Sequence, residues 1–351
     1  MNTVLAIAHQ FADGVTGLSP LGNGLINDTF LATTPASQFV LQRINRTVFP
    51  KPEQIMANLI RLNRHLEQKP GATVKLKIPA ILKTATHHDF YQDEHGDYWR
   101  ALAFIANTES PETISHIGQA EQTGFALGHF HRLVSDLDPA QLHDTLPGFH
   151  IAPGYLSRYH QVLALAQRAP ENLYCAAFID SHQHWTDELE TAKQQGLLSL
   201  RVIHGDPKLN NFLFDRDSQK IVSLIDLDTV KPGLVHYDIG DCLRSCCHNL
   251  ASNTFDLELC AAILKSYLSE VGVFFSGYDY QYLYAAIRLI PFELGLRFYT
   301  DYLEGNRYFK VSEPEQNLQR ATAQFQLCAS IIAQESAISA LIERIKNAIA
   351  D

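Results

Sequence analysis

One stretch limits what this 351-residue chain can fold into more than any other: "RVIHGDPKLNNFLFDRDSQKIVSLIDLDTVKPG", from Arg201 to Gly233. Apolar Val202 and Ile203 lead into His204-Gly205-Asp206. Asn211 follows five residues after that aspartate, and the apolar run Phe212–Phe214 comes directly after it. A second apolar run then ends in Asp226 and Asp228, one residue apart, with Thr229 beside them. Each piece alone is an ordinary turn, but their joint order is rare. It reads as a strand–loop–strand unit that gathers carboxylates and an amide in one place. Asp206 can accept the proton of a hydroxyl and aim its oxygen at a phosphate. Asn211 and Asp226 offer the hard oxygen ligands that magnesium takes when it bridges nucleotide phosphates.

The aspartate pair also resembles the opening of phosphatases of the haloacid dehalogenase type, in which the first aspartate attacks phosphorus. The residues beyond Thr229 do not fit such an enzyme. Lys231-Pro232-Gly233 interrupts the chain at once, no alternation of strands and helices comes after it, and Gly240-Asp241 arrives too early to be the later acidic pair.

The rest of the chain predicts an α+β protein of two lobes. "VTGLSPLGNGLINDTFLATTPASQFVLQRINR" divides into three short β-prone runs separated by Gly22-Asn23-Gly24 and by Thr34-Pro35-Ala36-Ser37. Pro52 opens a helical pattern with Ile55, Leu59, Leu62 and Leu66 on one face and Gly71 beyond its end. Strand-like runs follow at Ile78–Lys83 and Tyr98–Ile105. After Asn107 helical periods dominate: Glu112–Leu137, Gly154–Ala169 and three more from Phe255 onward. Residues 1–105 are therefore expected to form a nucleotide-binding lobe, a small, mostly antiparallel sheet with one long helix. Residues 106–351 are expected to form a larger, mainly helical lobe that carries catalysis and acceptor binding.

Composition excludes some classes of function. A formal net charge of -10 argues against non-specific nucleic-acid binding, which depends on clustered Lys and Arg. The stretch nearest to a membrane span, "LYAAIRLIPFELGLRFY", is broken by Arg288, Glu293 and Arg297, and "MNTVLAIAHQFADG" is a poor signal peptide. Of six cysteines, Cys242, Cys246 and Cys247 stand beside His248 but lack the second half of a zinc site. Buried, reduced thiols in a cytoplasmic protein are the expectation.

A nucleotide needs a cradle in the first lobe. Gly22, Asn23 and Gly24 form a turn whose backbone N–H groups can approach phosphates, and Asn27 lies just beyond it. The turn lacks the Lys-Ser/Thr ending of a P-loop. In "FVLQRIN", either Gln42 or Arg43 serves the phosphates, and the sequence leaves that choice open.

The order H-x-D-x-x-x-x-N followed by I-D resembles the catalytic loop and metal-binding aspartate of the protein-kinase-like fold. With "GLINDTF", "FVLQRIN", "HGDPKLNNFLFD", "IDLDTVKPGLVHYDIGDCLR" and "LRFYTDYLEGNRYFK", the chain resembles the aminoglycoside-phosphotransferase and choline-kinase group of small-molecule kinases. Within it, the chain is most similar to the N-acetylhexosamine 1-kinases. The resemblance implies ATP and Mg2+ as cofactors and phosphorylation of a sugar's anomeric hydroxyl. It implies Asp206 as the base, Lys208 facing the γ-phosphate, and Asn211 and Asp226 as magnesium ligands. Asp228 either holds a second metal or orients Asp226, while His204, Asp238 and Asp241 read as architectural. Two departures stand out: Gln42 occupies the place of the kinases' phosphate-pairing lysine, and Lys208 stands where aminoglycoside kinases usually have His.

Glu293, Arg297 and Asp301 recur at i, i+4 beside Phe298, Tyr299, Tyr302, Tyr308 and Phe309. Rings and fixed polar groups are what a sugar pocket needs, and the resemblance assigns Arg297, with Asp301 as a further candidate, to the acceptor. The partner is thus a small molecule, with no nucleic acid and no membrane; the oligomeric state is open. The competing readings are a kinase of another hydroxylated metabolite, such as an amino alcohol or aminoglycoside, and a nucleotide-binding pseudokinase that acts by interaction. A protein kinase is disfavoured, because no activation segment follows Asp226.

Overall fold

The computed structural model describes residues 2–22, 26–165 and 173–350. Helix α1 (Asn2–Ala8) precedes strands β1 (Gly17–Pro20), β2 (Asp28–Thr33) and β3 (Gln38–Arg43), and α2 (Pro52–Glu67) follows them. Strands β4 (Ile81–Leu82), β5 (Tyr91–Gln92) and β6 (Tyr98–Ala103) complete an antiparallel sheet of order β1-β2-β3-β6-β4, with β5 also paired to β6. Because side chains alternate across a strand, the sheet has two unlike faces. Phe39, Leu41, Trp99 and Ala101 point outward and are buried under Ile7 and Ala8 of α1. Thr29, Val40, Gln42 and Arg100 point the other way, toward the second lobe.

Helix α2 lies below the sheet. Its Ile55, Met56, Leu59 and Leu62 belong to the same apolar cluster as Phe130, Leu133, Leu209 and Phe212, so the helix is packed into the core of the larger lobe. Asn58, buried on that face, donates to the carbonyls of His143 and Val230 (both 2.9 Å) and accepts from the His143 N–H (2.9 Å).

The larger lobe holds α3 (Ile117–Leu133), α4 (Ala152–Leu165), α5 (Leu173–His182) and α6 (Glu188–Gln194) before the catalytic strands. After them come α7 (Val235–Cys246), α8 (Leu257–Val271), α9 (Gly277–Gln281), α10 (Leu283–Leu303), α11 (Gln316–Ala333) and α12 (Glu335–Ala350). Several expectations need correction. Glu112–Leu137 is helical only from 117 to 133, and α4 starts at Ala152 and is described to Leu165. Five helices, not three, follow Phe255, because Ser276 and Asp279 make a capping box that starts α9 as a separate turn. Pro291 lies inside α10. Helices α5, α6 and α7 are not anticipated by the sequence pattern; α7 buries His236, Asp238 and Asp241 along with its apolar residues.

Between residues 199 and 233 two ribbons share the chain. Strand β8 (Arg201–Ile203) pairs antiparallel with β11 (Lys231–Gly233), and β9 (Phe212–Asp215) pairs with β10 (Ile221–Leu224) and with β7 (Thr108–Glu109). A further small pair, β12 (His248–Asn249) and β13 (Thr254–Phe255), caps α7. The chain passes from β8 to β9 through residues 204–211 and from β10 to β11 through residues 225–230. Two loops therefore cross between the same two ribbons, which holds them side by side. Among the described residues no single helix is long and apolar enough to cross a membrane; α11 and α12 reach that length only as a pair bent by 65°.

Candidate active site

The two crossing loops are locked by short-range demands of the backbone. Gly205 has φ +88°, and a Cβ there would lie 2.5 Å from the carbonyl oxygen of Thr229, so only glycine permits the loops to touch. The backbone N–H groups of His204 and Gly205 donate to the buried carboxylate of Asp238 on α7 (2.6 and 2.9 Å), which also accepts from His131 Nε2 (2.9 Å). His204 is fully buried. Its Nε2 donates to the carbonyl of Ile225 (2.9 Å), and its Nδ1 accepts from the N–H of Asp206 (3.2 Å). Burial holds its pKa below the ordinary value, which suits this neutral tautomer. The histidine therefore ties the residue before Asp226 to Asp206 itself. Asp241 is engaged with Arg244 (2.8 Å).

Asp206, Lys208, Asn211 and Asp226 converge on this spot. Lys208 Nζ lies 2.5 Å from Asp206 Oδ2, and Asn211 Nδ2 donates to the Asp206 carbonyl (2.7 Å). Burial acts to lower the pKa of Lys208, but Asp206 and Asp226 outweigh it and hold the lysine above its ordinary value. Asp226 has φ +65°, the left-handed region that non-glycine residues enter only at a cost. Its carboxylate is open to the cleft by surface area yet sits among protein atoms beneath. Desolvation first, then Asp228 and Asp206, push its pKa up to about 7.

That carboxylate fits a cation. It is accessible and makes no hydrogen bond among the described residues, Lys208 and Arg100 being cations near enough to act on it without cancelling the rise, and Asn211 Oδ1 is likewise uncommitted. Among the described residues no cluster of three His, Cys, Asp or Glu could enclose a metal. Magnesium bound by one carboxylate and one amide with substrate phosphates needs no such cage.

On the nucleotide side the structure departs from expectation. Asn23 and Gly24 lie outside the described residues; Gly22 has φ +70° at the end of β1. Asn27 donates to Asp228 Oδ2 (2.7 Å) and accepts from the Asn45 N–H (3.0 Å), which makes it a latch between the lobes. Arg43 is corrected. Being one residue from Gln42, it falls on the outer face of the sheet, where its guanidinium pairs with Asp28 and with Asp97 (3.1 Å). Gln42 faces the cleft, but its amide is committed to Thr29 Oγ1 (3.1 Å) and to Arg100 (2.8 and 3.0 Å). Asp228 is 3% exposed, with Oδ2 accepting from Asn27 and Oδ1 lying 2.5 Å from the Arg100 guanidinium, so it is turned into the protein and not to the open side of the cleft.

The cluster that the sequence assigns to the acceptor is built around Arg297. Its guanidinium stands over the rings of Tyr155 (4.9 Å), Phe149 (5.2 Å), Phe309 (5.5 Å) and Tyr308 (6.0 Å). It makes no hydrogen bond among the described residues, and Glu293 Oε1 lies 3.9 Å away. Asp301 is not turned to an acceptor. It accepts from the N–H groups of Arg307, Tyr308 and Phe309 (2.8, 2.8 and 2.9 Å) and from Asn317 Nδ2 (2.9 Å). All its strong lone pairs are used to fold the segment that sets Tyr308 and Phe309 against Arg297.

His150 joins the two centres. Its Nε2 lies 3.0 Å from the carbonyl of Gly205, next to Asp206, and its Nδ1 lies 3.1 Å from Glu293 Oε1. Both partners are acceptors, so both nitrogens carry protons and the ring is an imidazolium. Burial opposes that charge, but Glu293 overcomes it and raises the pKa. Neither His150 nor Arg100 was singled out by the sequence; only the cross-strand pairing of Arg100 with Gln42 could have drawn attention to it.

The phosphotransferase enzyme family (APH) matches residues 17–274. Similar solved structures include a microcompartment-associated aminopropanol kinase, with TM-score 0.71 and 16% identity over 97% of this chain and 99% of that one. APH(2")-IIia in complex with GDP and kanamycin has TM-score 0.64 and 16% identity over 95% of this chain and 99% of that one. Amicoumacin kinase hAmiN, solved with AMP-PNP and Ca2+, has TM-score 0.60 and 15% identity over 93% and 92%. At these identities the likeness is one of fold, the protein-kinase-like arrangement of two lobes. The matched span takes in the whole catalytic hairpin but stops short of Arg297. The chain belongs to the phosphotransferase enzyme family, as a small-molecule phosphotransferase that uses ATP and a divalent metal.

Proposed function

We propose that the protein transfers the γ-phosphoryl group of ATP to a hydroxyl of a neutral sugar, the anomeric hydroxyl of an N-acetylhexosamine. Residues 1–105 act as the nucleotide lobe and 106–351 as the catalytic and acceptor lobe. The observation that carries this reading is Arg297, a caged guanidinium whose donors are uncommitted. Amino alcohols and aminoglycosides carry ammonium groups, which a fixed cation repels. A sugar offers hydroxyl and carbonyl oxygens to the donors and an apolar face to Tyr155, Tyr308 and Phe309. Asp206 accepts the hydroxyl proton, and Lys208 leaves it to meet the charge that develops on the transferred group. Asn211 and Asp226 hold magnesium, which when bound neutralises the phosphates. ATP and reduced thiols suit a cytoplasmic location.

ADP release measured with N-acetylhexosamines, neutral hexoses, aminopropanol, ethanolamine and kanamycin tests the proposal. The expected ranking puts N-acetylhexosamines first by kcat/KM. An amino acceptor at the head of the ranking overturns the sugar assignment, and binding of ATP without turnover of any acceptor favours the pseudokinase.

A further inference from the structure

We propose that Arg100 is the residue that meets the nucleotide's phosphates in the first lobe, supplying from β6 the positive charge that position 42 of β3 lacks. Gln42 and Arg100 are direct partners in the antiparallel register, so their side chains leave the same face of the sheet. Among the described residues of β2, β3 and β6, Arg100 is the one cation on that face; Arg43 is on the other. It is 1% exposed, and no buried guanidinium is kept without a reason.

Its five donors are not all used. Nε and Nη2 donate to Gln42 Oε1. Nη2 approaches Asp228 Oδ1 at 2.5 Å, but not in line: that oxygen has no hydrogen bond, and neither does Arg100 Nη1. A buried donor and a charge contact without alignment mark a group still missing an acceptor. Arg100 is near enough to Asp226 to act on its charge, so the unfilled donor belongs to the same cleft as the carboxylate that suits magnesium. A phosphate oxygen is the acceptor that fits both, because guanidinium–phosphate hydrogen bonds are charge-assisted and planar. Gln42 and Asp228 act as positioning residues that fix the guanidinium. The inference rests on ATP dependence and not on the identity of the acceptor, so it can fail or hold independently of the sugar.

Calorimetric titration with adenosine, AMP, ADP and ATP, each with Mg2+ and without any acceptor, reads the contribution of the phosphates directly. In Arg100→Met the Kd for ATP is expected to rise about ten- to hundredfold, with the Kd for adenosine within about twofold of wild type. The double variant Arg100→Met with Gln42→Lys moves the charge one strand over and is expected to recover most of that loss. Unchanged ATP affinity in Arg100→Met overturns the proposal. So does an equal loss for adenosine and ATP, which is what a merely structural arginine gives. If Arg100→Met does not fold, Arg100→Lys takes its place: a partial loss confined to the phosphate-bearing ligands supports the role, and no loss or a uniform loss overturns it.

Discussion

The two lobes contribute to one cleft in opposite ways. In the larger lobe the working groups follow one another along a short piece of chain: Asp206, Lys208 and Asn211 in one loop, Asp226 in the next. In the smaller lobe the one cation among the described residues on the cleft-facing side of β2, β3 and β6 is Arg100, 58 residues from Gln42, which holds the place of the kinases' phosphate-pairing lysine. A loop keeps its chemistry in sequence order, whereas a sheet can shift it sideways to a paired strand without changing where it points. The comparison teaches that charge at a site is set by register as much as by motif.

The largest effects belong to the catalytic loop. Asp206→Asn keeps the size of the side chain and removes the proton acceptor, so kcat should fall on the order of 10²–10⁴-fold with ATP binding intact. A variant that keeps more than about a third of kcat breaks the claim that this loop holds the base. Asp226→Ala should remove the Mg2+-dependent part of ATP affinity while adenosine still binds, which titrations with and without metal would reveal. Covalent phosphate trapped on Asp226 would instead revive the phosphatase reading.

Arg297→Ala addresses the acceptor side. KM for the sugar should rise about ten- to hundredfold, with KM for ATP nearly constant. A shift in the ATP constant alone would move α10 to the nucleotide side and undo the comparison.

His150 gives a pH signature. Its folded pKa is raised above the ordinary value by Glu293, so its contribution to stability is complete below about pH 6.5 and is lost as pH rises through the folded value. In His150→Gln, stability at pH 6 should drop by about 1–3 kcal/mol, read as a lower Tm. Its further decline toward pH 9 should be shallower than in wild type. Parallel curves would mean that His150 does not carry the proton.

Arg43→Ala should do least. Its ion pairs are on the outer, half-exposed face, so stability should change by less than about 1 kcal/mol and nucleotide affinity hardly at all. Set beside Arg100→Met, it sharpens the contrast between two arginines on opposite faces of one sheet.

Much of this was legible in the sequence. The spacing of His204, Asp206, Asn211 and Asp226, bounded by short apolar runs, was enough to predict a compact strand–loop–strand unit that gathers them, but not the two ribbons between which two loops cross. The sheet and α2 were legible from Gly, Pro and alternation. The roles of Arg43 and Asp301 were not. Which of two adjacent residues faces a cleft depends on how the sheet is covered, here by α1. Whether Asp301 reaches a ligand depends on a turn eight residues on that takes up its oxygens. His150 was hidden for a similar reason: it acts through partners 55 and 143 residues away, Gly205 and Glu293.

The central claim, transfer of phosphate from ATP to a neutral sugar chosen by Arg297, is most directly tested by competition in one tube. The protein, ATP and Mg2+ are mixed with equal amounts of an N-acetylhexosamine and aminopropanol, and the products are followed by phosphorus NMR. The account predicts a sugar 1-phosphate, coupled to the anomeric proton, as the main product, and loss of that preference in Arg297→Ala. Phosphoaminopropanol as the main wild-type product, or phosphate on another sugar hydroxyl, would contradict it.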